Sequence, residues 1–265
     1  MKEALIIIGV LILVVILLLV LLSKNQERLI FYPEKLPLSF KFDFSGGFEE
    51  INFTPRKKIK LNALWFKTDE PKGLVLYFHG NAGSLRTWAN VASDFTNHGW
   101  DVLIYDYRGY GKSNGLITNE SMLHRDAQYV YDQMRAYYEP EHIIFYGRSL
   151  GSGIAAKLAT KHEPALLMLE TPYFSFDDVV RHHYSYLPTS MILRYRFPTN
   201  KFLKRIKCPV QLYHGTFDQL IPYDSSLRLE QIAENIELLT LQDGTHNNLN
   251  TFAEYHTNLK KWLAS

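Results

Sequence analysis

The chain has 265 residues, 46% of them hydrophobic, with 29 lysines and arginines against 27 acidic residues. Such a chain fills one large mixed core, and its basic residues are spread along its length, which sets aside the electrostatic footprint of a nucleic-acid binder. Cys208 is the only cysteine in the sequence, so an intramolecular disulfide and the usual cysteine-based structural zinc patterns are impossible.

From Ala4 to Leu22 no residue is charged or strongly polar. A helix of this length reaches about 28 Å, close to the ~30 Å hydrocarbon thickness of a bilayer. A cleaved signal peptide has a shorter apolar region, about 7–15 residues, followed by a small-residue cleavage site. Here Leu21-Leu22-Ser23-Lys24 follows, so residues 1–24 are expected to remain as a single-pass membrane anchor. Lys2 lies on one side of the span, and Lys24, Arg28 and Lys35 lie on the other, which leaves the side of the following domain open. Residues 25–47, with Pro33 and Pro37 among aromatics, suit an extended linker packed on a domain edge. The catalytic domain is expected over 48–265.

Phe48 to Thr54 and Ile59 to Lys67 alternate apolar and polar residues across a turn at Pro55 to Lys58, as an antiparallel hairpin with one wet face does. The pattern then changes. Leu74 to Phe78, Val102 to Tyr105, Ile143 to Tyr146, Leu166 to Leu169 and Val210 to Tyr213 are continuous apolar runs, suited to strands buried on both faces. Trp88 to His98, Ser121 to Tyr138, Ser152 to His162 and Ser225 to Asn235 have helical spacing between them. Alternating strands and helices imply an α/β fold, a mostly parallel central sheet covered on both faces, with ligands bound at the carboxyl edge of the strands. Residues 173–207 interrupt the alternation with prolines, aromatics and basic residues, and are expected to form a lid over that edge. A mixture of tyrosines with arginines and lysines there suits either a bilayer interface or a cap with an apolar underside.

The sharpest motif is Gly147-Arg148-Ser149-Leu150-Gly151, set between an apolar strand and a small-residue helix. A serine on this strained turn needs small neighbours and is thrust out at the sheet edge. A plain glycine-rich turn would look similar in isolation; the strand and helix on either side favour a nucleophile. A serine hydroxyl reacts near neutral pH only if a base removes its proton. Of the ten histidines, His246 stands after the last apolar strand, Ile236 to Leu241, where the chain order Ser, Asp, His requires the base. His182 and His183 are neighbours with diverging side chains, and His98, His124, His162 and His256 are expected on solvent-facing helix positions. Asp218, just past Val210 to Tyr213, is the candidate to orient the imidazole. Asp243 is its rival, but beside Gly244 it reads as a turn residue. Backbone N–H groups for a developing oxyanion are expected from Leu150 and from the loop His79-Gly80-Asn81-Ala82-Gly83, with Asn81 the chosen donor and Ala82 its alternative.

With Arg28-Leu29-Ile30-Phe31-Tyr32-Pro33, Asp106-Tyr107-Arg108-Gly109-Tyr110-Gly111-Lys112-Ser113 and His214-Gly215-Thr216-Phe217-Asp218, these segments resemble, in order and spacing, the α/β-hydrolase superfamily and its membrane-anchored serine aminopeptidase-like members. The family includes eukaryotic members that remove palmitate from proteins. The resemblance covers most of the chain from about Leu29. It implies an α/β-hydrolase fold and hydrolysis of esters, thioesters or amides on small-molecule or acylated substrates through an acyl-enzyme, with neither metal nor organic cofactor. It also implies that Asp106 to Ser113 is a structural loop; a phosphate-loop reading of Gly111-Lys112-Ser113 fails because Asp106 stands where a glycine is needed. The competing readings are a serine aminopeptidase or amidase, which needs an acidic group for the substrate amine, and a non-catalytic scaffold, which has no need of the three residues in this order. Oligomeric state is left open.

Overall fold

The computed structural model describes residues 1–264. Helix α1 (Lys2–Lys24) has none of its residues buried and meets the domain at its last turn, where Ser23 Oγ donates to the Ile192 carbonyl at 3.0 Å; it is long and apolar enough to cross a membrane. The stretch expected to be wholly extended begins instead with a helical turn, α2 (Gln26–Ile30). Its two ends explain the turn: Gln26 and Ile30 lie one helical turn apart on the same face, and both are buried against the domain. The chain then runs extended, bridging Pro33 to Gly83 and Lys35 to Gly111.

The hairpin β1 (Phe48–Arg56) and β2 (Ile59–Phe66) is antiparallel and turns at Lys58, whose φ is 69°. Pro55 falls inside β1, at a register shift between Phe53 and Arg56 on the sheet edge, where the missing donor is tolerated. Next come β3 (Leu74–Phe78), the short helices α3 (Leu85–Trp88) and α4 (Ser93–Thr96), and β4 (Asp101–Tyr105). The continuous helix expected from Trp88 to His98 is broken by a tighter turn, where Asn90 and Ser93 bond back to the carbonyls of Thr87 and Asn90. Then follow α5 (Glu120–Met134), β5 (Ile143–Arg148), α6 (Leu150–Ala159), β6 (Leu166–Glu170), three short helices α7 (Phe176–His183), α8 (Thr189–Ile192) and α9 (Thr199–Leu203), β7 (Val210–Gly215), α10 (Asp224–Glu230), β8 (Ile236–Leu241) and α11 (Ala253–Ala264).

The eight strands form one sheet in the order β1-β2-β4-β3-β5-β6-β7-β8, parallel from β4 onward. Alternate strand residues feed two cores. Leu76, Phe78, Phe145, Leu167 and Leu212 pack on one face with Ala127 and Val130 of α5 and Ile154 and Ala155 of α6. Val75, Tyr77, Ile144, Tyr146 and Met168 pack on the other with Phe95 of α4 and Tyr255 and Leu259 of α11. From β3 the chain goes to β4 on one side, and β5 then returns to the other side of β3. Such a reversal of strand order opens a crevice at the carboxyl ends of the central strands.

The packing sorts the residues of 173–207 into an apolar underside and a basic outer face, one of the two arrangements their composition suits. Tyr195 and Phe197 are fully buried, and Phe202 is nearly so. Tyr195 meets Phe31 edge to face at 5.2 Å, and Phe197 packs on His124. Arg181 and Arg194 turn outward to Asp177 and Glu27, while Tyr184 and Tyr186 remain exposed. Aromatic area therefore lines the underside, where its removal from water is most favourable.

Candidate active site

Ser149 joins β5 to α6 at φ 50° and ψ −116°, a conformation that non-glycine residues avoid. The surroundings over-determine it. Its N–H donates to the Glu170 carbonyl at 2.9 Å, and the flanking glycines admit no side chain. A Cβ on Gly147 would meet the Gly151 carbonyl oxygen at 2.5 Å, and one on Gly151 would meet the Phe78 carbonyl oxygen at 2.0 Å. The turn can close onto β3 only with glycine at both positions.

The loops after β7 and β8 meet in the same way. A Cβ on Gly215 would lie 2.1 Å from the Gly244 carbonyl oxygen. Phe217 N–H donates to that oxygen at 2.8 Å, and Asp243 N–H donates to Thr216 Oγ1 at 2.9 Å. This stitching brings together side chains far apart in sequence. The Ser149 hydroxyl lies 3.0 Å from His246 Nε2, and His246 Nδ1 lies 2.8 Å from Asp218 Oδ2. The carboxylate fixes the ring proton on Nδ1, leaving Nε2 to accept from the serine. Asp243 is exposed in the left-handed region, φ 60°, with its carboxylate against Gln242, as a turn residue should be.

Burial alone would raise the Asp218 carboxyl, but hydrogen bonds from His214 and His246, the charge of His246, and the Ile221 N–H hold it well below the usual carboxylate range. His214 Nε2 is 3.2 Å from Asp218 Oδ2 and 3.0 Å from the Ile221 carbonyl, and its Nδ1 is 2.6 Å from Ser226 Oγ. In the sequence His214 stands out only as the first residue of the motif His214-Gly215-Thr216-Phe217-Asp218. Its position at the end of a buried strand, four residues before Asp218, is the signal that could have singled it out. Arg148, the variable residue of the glycine-flanked turn, pairs with Glu170 at 3.1 Å and donates to the His246 carbonyl at 3.1 Å, tying the Ser149 turn to the His246 loop.

Asn81 and Leu150 also come to this edge. Neither backbone N–H has an acceptor among the described residues, and a Cβ on Gly80 would lie 3.5 Å from the Ser149 Cβ. The Asn81 side chain is spent elsewhere, on the backbone of Ile30, Tyr32 and Ala82 and the hydroxyl of Tyr110. The Asp106 to Ser113 loop braces this edge from below: Tyr107 OH donates to the His79 carbonyl at 2.7 Å.

The remaining histidines stay apart from this group. His182 and His183 are exposed on α7, and His183 bonds the Leu220 carbonyl. His124 and His162, expected to face solvent, are half-buried: His124 packs on Phe197 and Phe202, His162 on Tyr131. Among the described residues no cluster of histidine, cysteine and carboxylate side chains could hold a metal ion.

The model of the serine aminopeptidase, S33, family matches residues 69–202. An uncharacterized protein of Mycobacterium tuberculosis is 28% identical over 93% of this chain and 89% of its own length. Alpha/beta hydrolase domain-containing protein 17B of Xenopus laevis is 30% identical over 73% of this chain and 67% of its own. The solved Pyrococcus furiosus esterase superposes with a TM-score of 0.71 at 19% identity, over 89% of this chain and 97% of that one. The sheet order, the helices on both faces and this superposition are those of the α/β-hydrolase fold, and the chain belongs to the serine aminopeptidase, S33, family of hydrolases.

Proposed function

We propose that this hydrolase cleaves a carboxylic ester or acyl thioester through an acyl-enzyme, with Ser149 as nucleophile, His246 as general base and Asp218 orienting the imidazole. The observation that carries the reading is the unbroken path from Ser149 Oγ to His246 Nε2 at 3.0 Å and from His246 Nδ1 to Asp218 Oδ2 at 2.8 Å. Ser149 Oγ attacks the acyl carbon as its proton passes to Nε2, and Asp218 stabilises the imidazolium. The N–H groups of Asn81 and Leu150 receive the charge that develops on the carbonyl oxygen. His246 then protonates the departing alkoxide or thiolate. A water, deprotonated by the same nitrogen, attacks the acyl carbon, and Ser149 leaves with the proton returned from His246.

An acyl substrate suits the surroundings better than a free amine does. The carboxylates that touch the site are already paired, Asp218 with two histidines and Glu170 with Arg148 and Tyr146. Phe217 and Leu220 flank Asp218 with more than half their surface exposed. Residues 1–24 act as a membrane anchor, since most apolar side chains of α1 are exposed and none is buried, and residues 173–207 act as the lid. Lipid-like or acylated substrates follow from that placement.

The test is a fluorophosphonate probe on the full-length protein in detergent. An adduct on Ser149 that is absent from Ser149→Ala supports the proposal, and a well-folded protein that takes no label favours the scaffold. A panel of esters, thioesters and aminoacyl amides follows; fastest turnover of the amides would replace this reading with an aminopeptidase.

A further inference from the structure

We infer that residues Ile30–Leu36, which enter the domain directly after the membrane-length helix, form a strap that positions the oxyanion-donor loop, with Glu34 and the Asn81 side chain as its positioning residues. The inference rests on the proposed role of the Asn81 N–H. The loop needs such a holder. Ala82 and Gly83 both lie in the left-handed region, at φ 63° and 74°. For alanine that conformation costs energy and persists only where surrounding contacts enforce it.

The strap provides those contacts from one side. The Asn81 side-chain amide donates to the Ile30 carbonyl, and its oxygen accepts from Tyr32 N–H at 3.2 Å and from Tyr110 OH at 2.8 Å. Glu34 N–H donates to the Gly83 carbonyl at 2.9 Å, and the Glu34 carbonyl accepts from Gly111 N–H at 2.7 Å. The Glu34 carboxylate accepts from Ser84 Oγ at 2.7 Å and pairs with Arg86. The loop is therefore gripped at Asn81, Gly83 and Ser84, while the Asn81 N–H has no acceptor among the described residues. An asparagine at this position serves both ends: its backbone supplies a donor and its side chain fixes where that donor points.

The strap is itself fixed beneath the segment proposed as the lid. Ile30 and Phe31 are buried, Arg194 N–H donates to Gln26 Oε1 at 2.9 Å, and Tyr195 OH donates to Glu27 Oε1 at 2.9 Å. The motif Arg28 to Pro33 thus acquires a role that a tether would not need. A simple tether tolerates any polar sequence; this one must present its carbonyls and amides in register with the loop.

The experiment uses full-length Asn81→Ala and Glu34→Ala in detergent. It compares kcat and KM on a p-nitrophenyl acyl ester, inhibition by an alkyl boronic acid that mimics the tetrahedral state, and the thermal midpoint. Both variants keep the backbone N–H and lose part of the grip. The expected result is kcat lowered about 10- to 100-fold, the scale of a donor misaimed rather than deleted, with KM within about 3-fold and boronate affinity falling in step with kcat. Glu34→Gln, which keeps the acceptor for Ser84, should recover most of the loss. Wild-type kcat in a folded Glu34→Ala overturns the strap, whatever Asn81→Ala does, and so does a loss of activity that only follows a lowered thermal midpoint. Failure of the proposed acyl-enzyme chemistry, on which the role of the Asn81 N–H depends, looks different, because wild-type protein itself would then take no fluorophosphonate label at Ser149.

Discussion

Asp218 sits at the centre of a converging set of donors. Leu220 and Ile221 N–H bind one carboxylate oxygen at 2.8 and 2.9 Å, and His246 and His214 approach the other at 2.8 and 3.2 Å. A carboxylate held from four directions cannot swing, so the imidazole it orients cannot swing either. His214, fully buried and anchored by Ser226, is the member of this set with no proposed contact to substrate. His214→Ala should lower kcat about 10- to 100-fold with little change in KM, the signature of lost positioning, and His214→Gln should restore part of it by offering an amide donor. Steady-state kinetics on both variants check this. Ser149→Ala should be far more severe, lowering turnover about 10⁴- to 10⁶-fold. Circular dichroism and the thermal midpoint should show the fold intact. Removing this hydroxyl also relieves none of the backbone strain at φ 50°, which the Gly147 and Gly151 contacts impose whatever the side chain.

At the scale of elements, the loop after β4 shows how the sheet edge is kept rigid. Arg108 and Asp126, both at most 5% exposed, join this loop to α5 through two hydrogen bonds of 2.6 and 2.7 Å. A bidentate pair in so dry a place is costly to break by halves, because the surviving charge is left uncompensated. Asp126→Ala should therefore cost about 3–5 kcal/mol of unfolding free energy in urea titration. The eight strands were legible because each is an apolar run or an alternating stretch closed by glycine, proline or asparagine, and the chain order of Ser149, Asp218 and His246 followed from those strands. Two kinds of feature were not legible. Helix α2 forms because Gln26 and Ile30 find a surface to bury against, a tertiary effect with no local signature, and the choice between the two readings of 173–207 is made by α5 and Phe31, toward which the aromatics turn inward. The side-chain role of Asn81 was hidden for the same reason, since its partners Ile30 and Tyr32 lie 51 and 49 residues away.

The molecule as a whole carries a buried acid and base whose protons bear on its stability. His79 and Asp106 lie fully buried with Nε2 and Oδ1 3.6 Å apart. Burial pushes His79 down to about 4, against an opposing hydrogen bond to the Gly80 carbonyl, and burial raises the Asp106 carboxyl well above its usual range. His79 is therefore neutral near pH 7, and Asp106 keeps its proton to higher pH than an ordinary carboxyl. Between about pH 4 and 6.5 the unfolded histidine binds a proton that folded His79 does not, which alone makes stability rise with pH, while a proton kept on folded Asp106 offsets that rise by up to about 1.4 kcal/mol per pH unit. Asp218 acts at the other end. Its depressed carboxyl contributes stability above the unfolded value, about 3.9, that is lost as pH falls below it. Asp106→Asn separates these effects, because the amide keeps an oxygen for Leu85 N–H and cannot ionise. In the variant only the lowered His79 remains: the unfolded state binds the extra proton between about pH 4 and 6.5, so stability should rise with pH across that window and level off above it. Thermal midpoints from pH 4 to 9 should rise less with pH in the wild type than in Asp106→Asn. Parallel profiles for the two proteins would mean that the folded pair holds no proton, with Asp106 ionised beside a neutral His79.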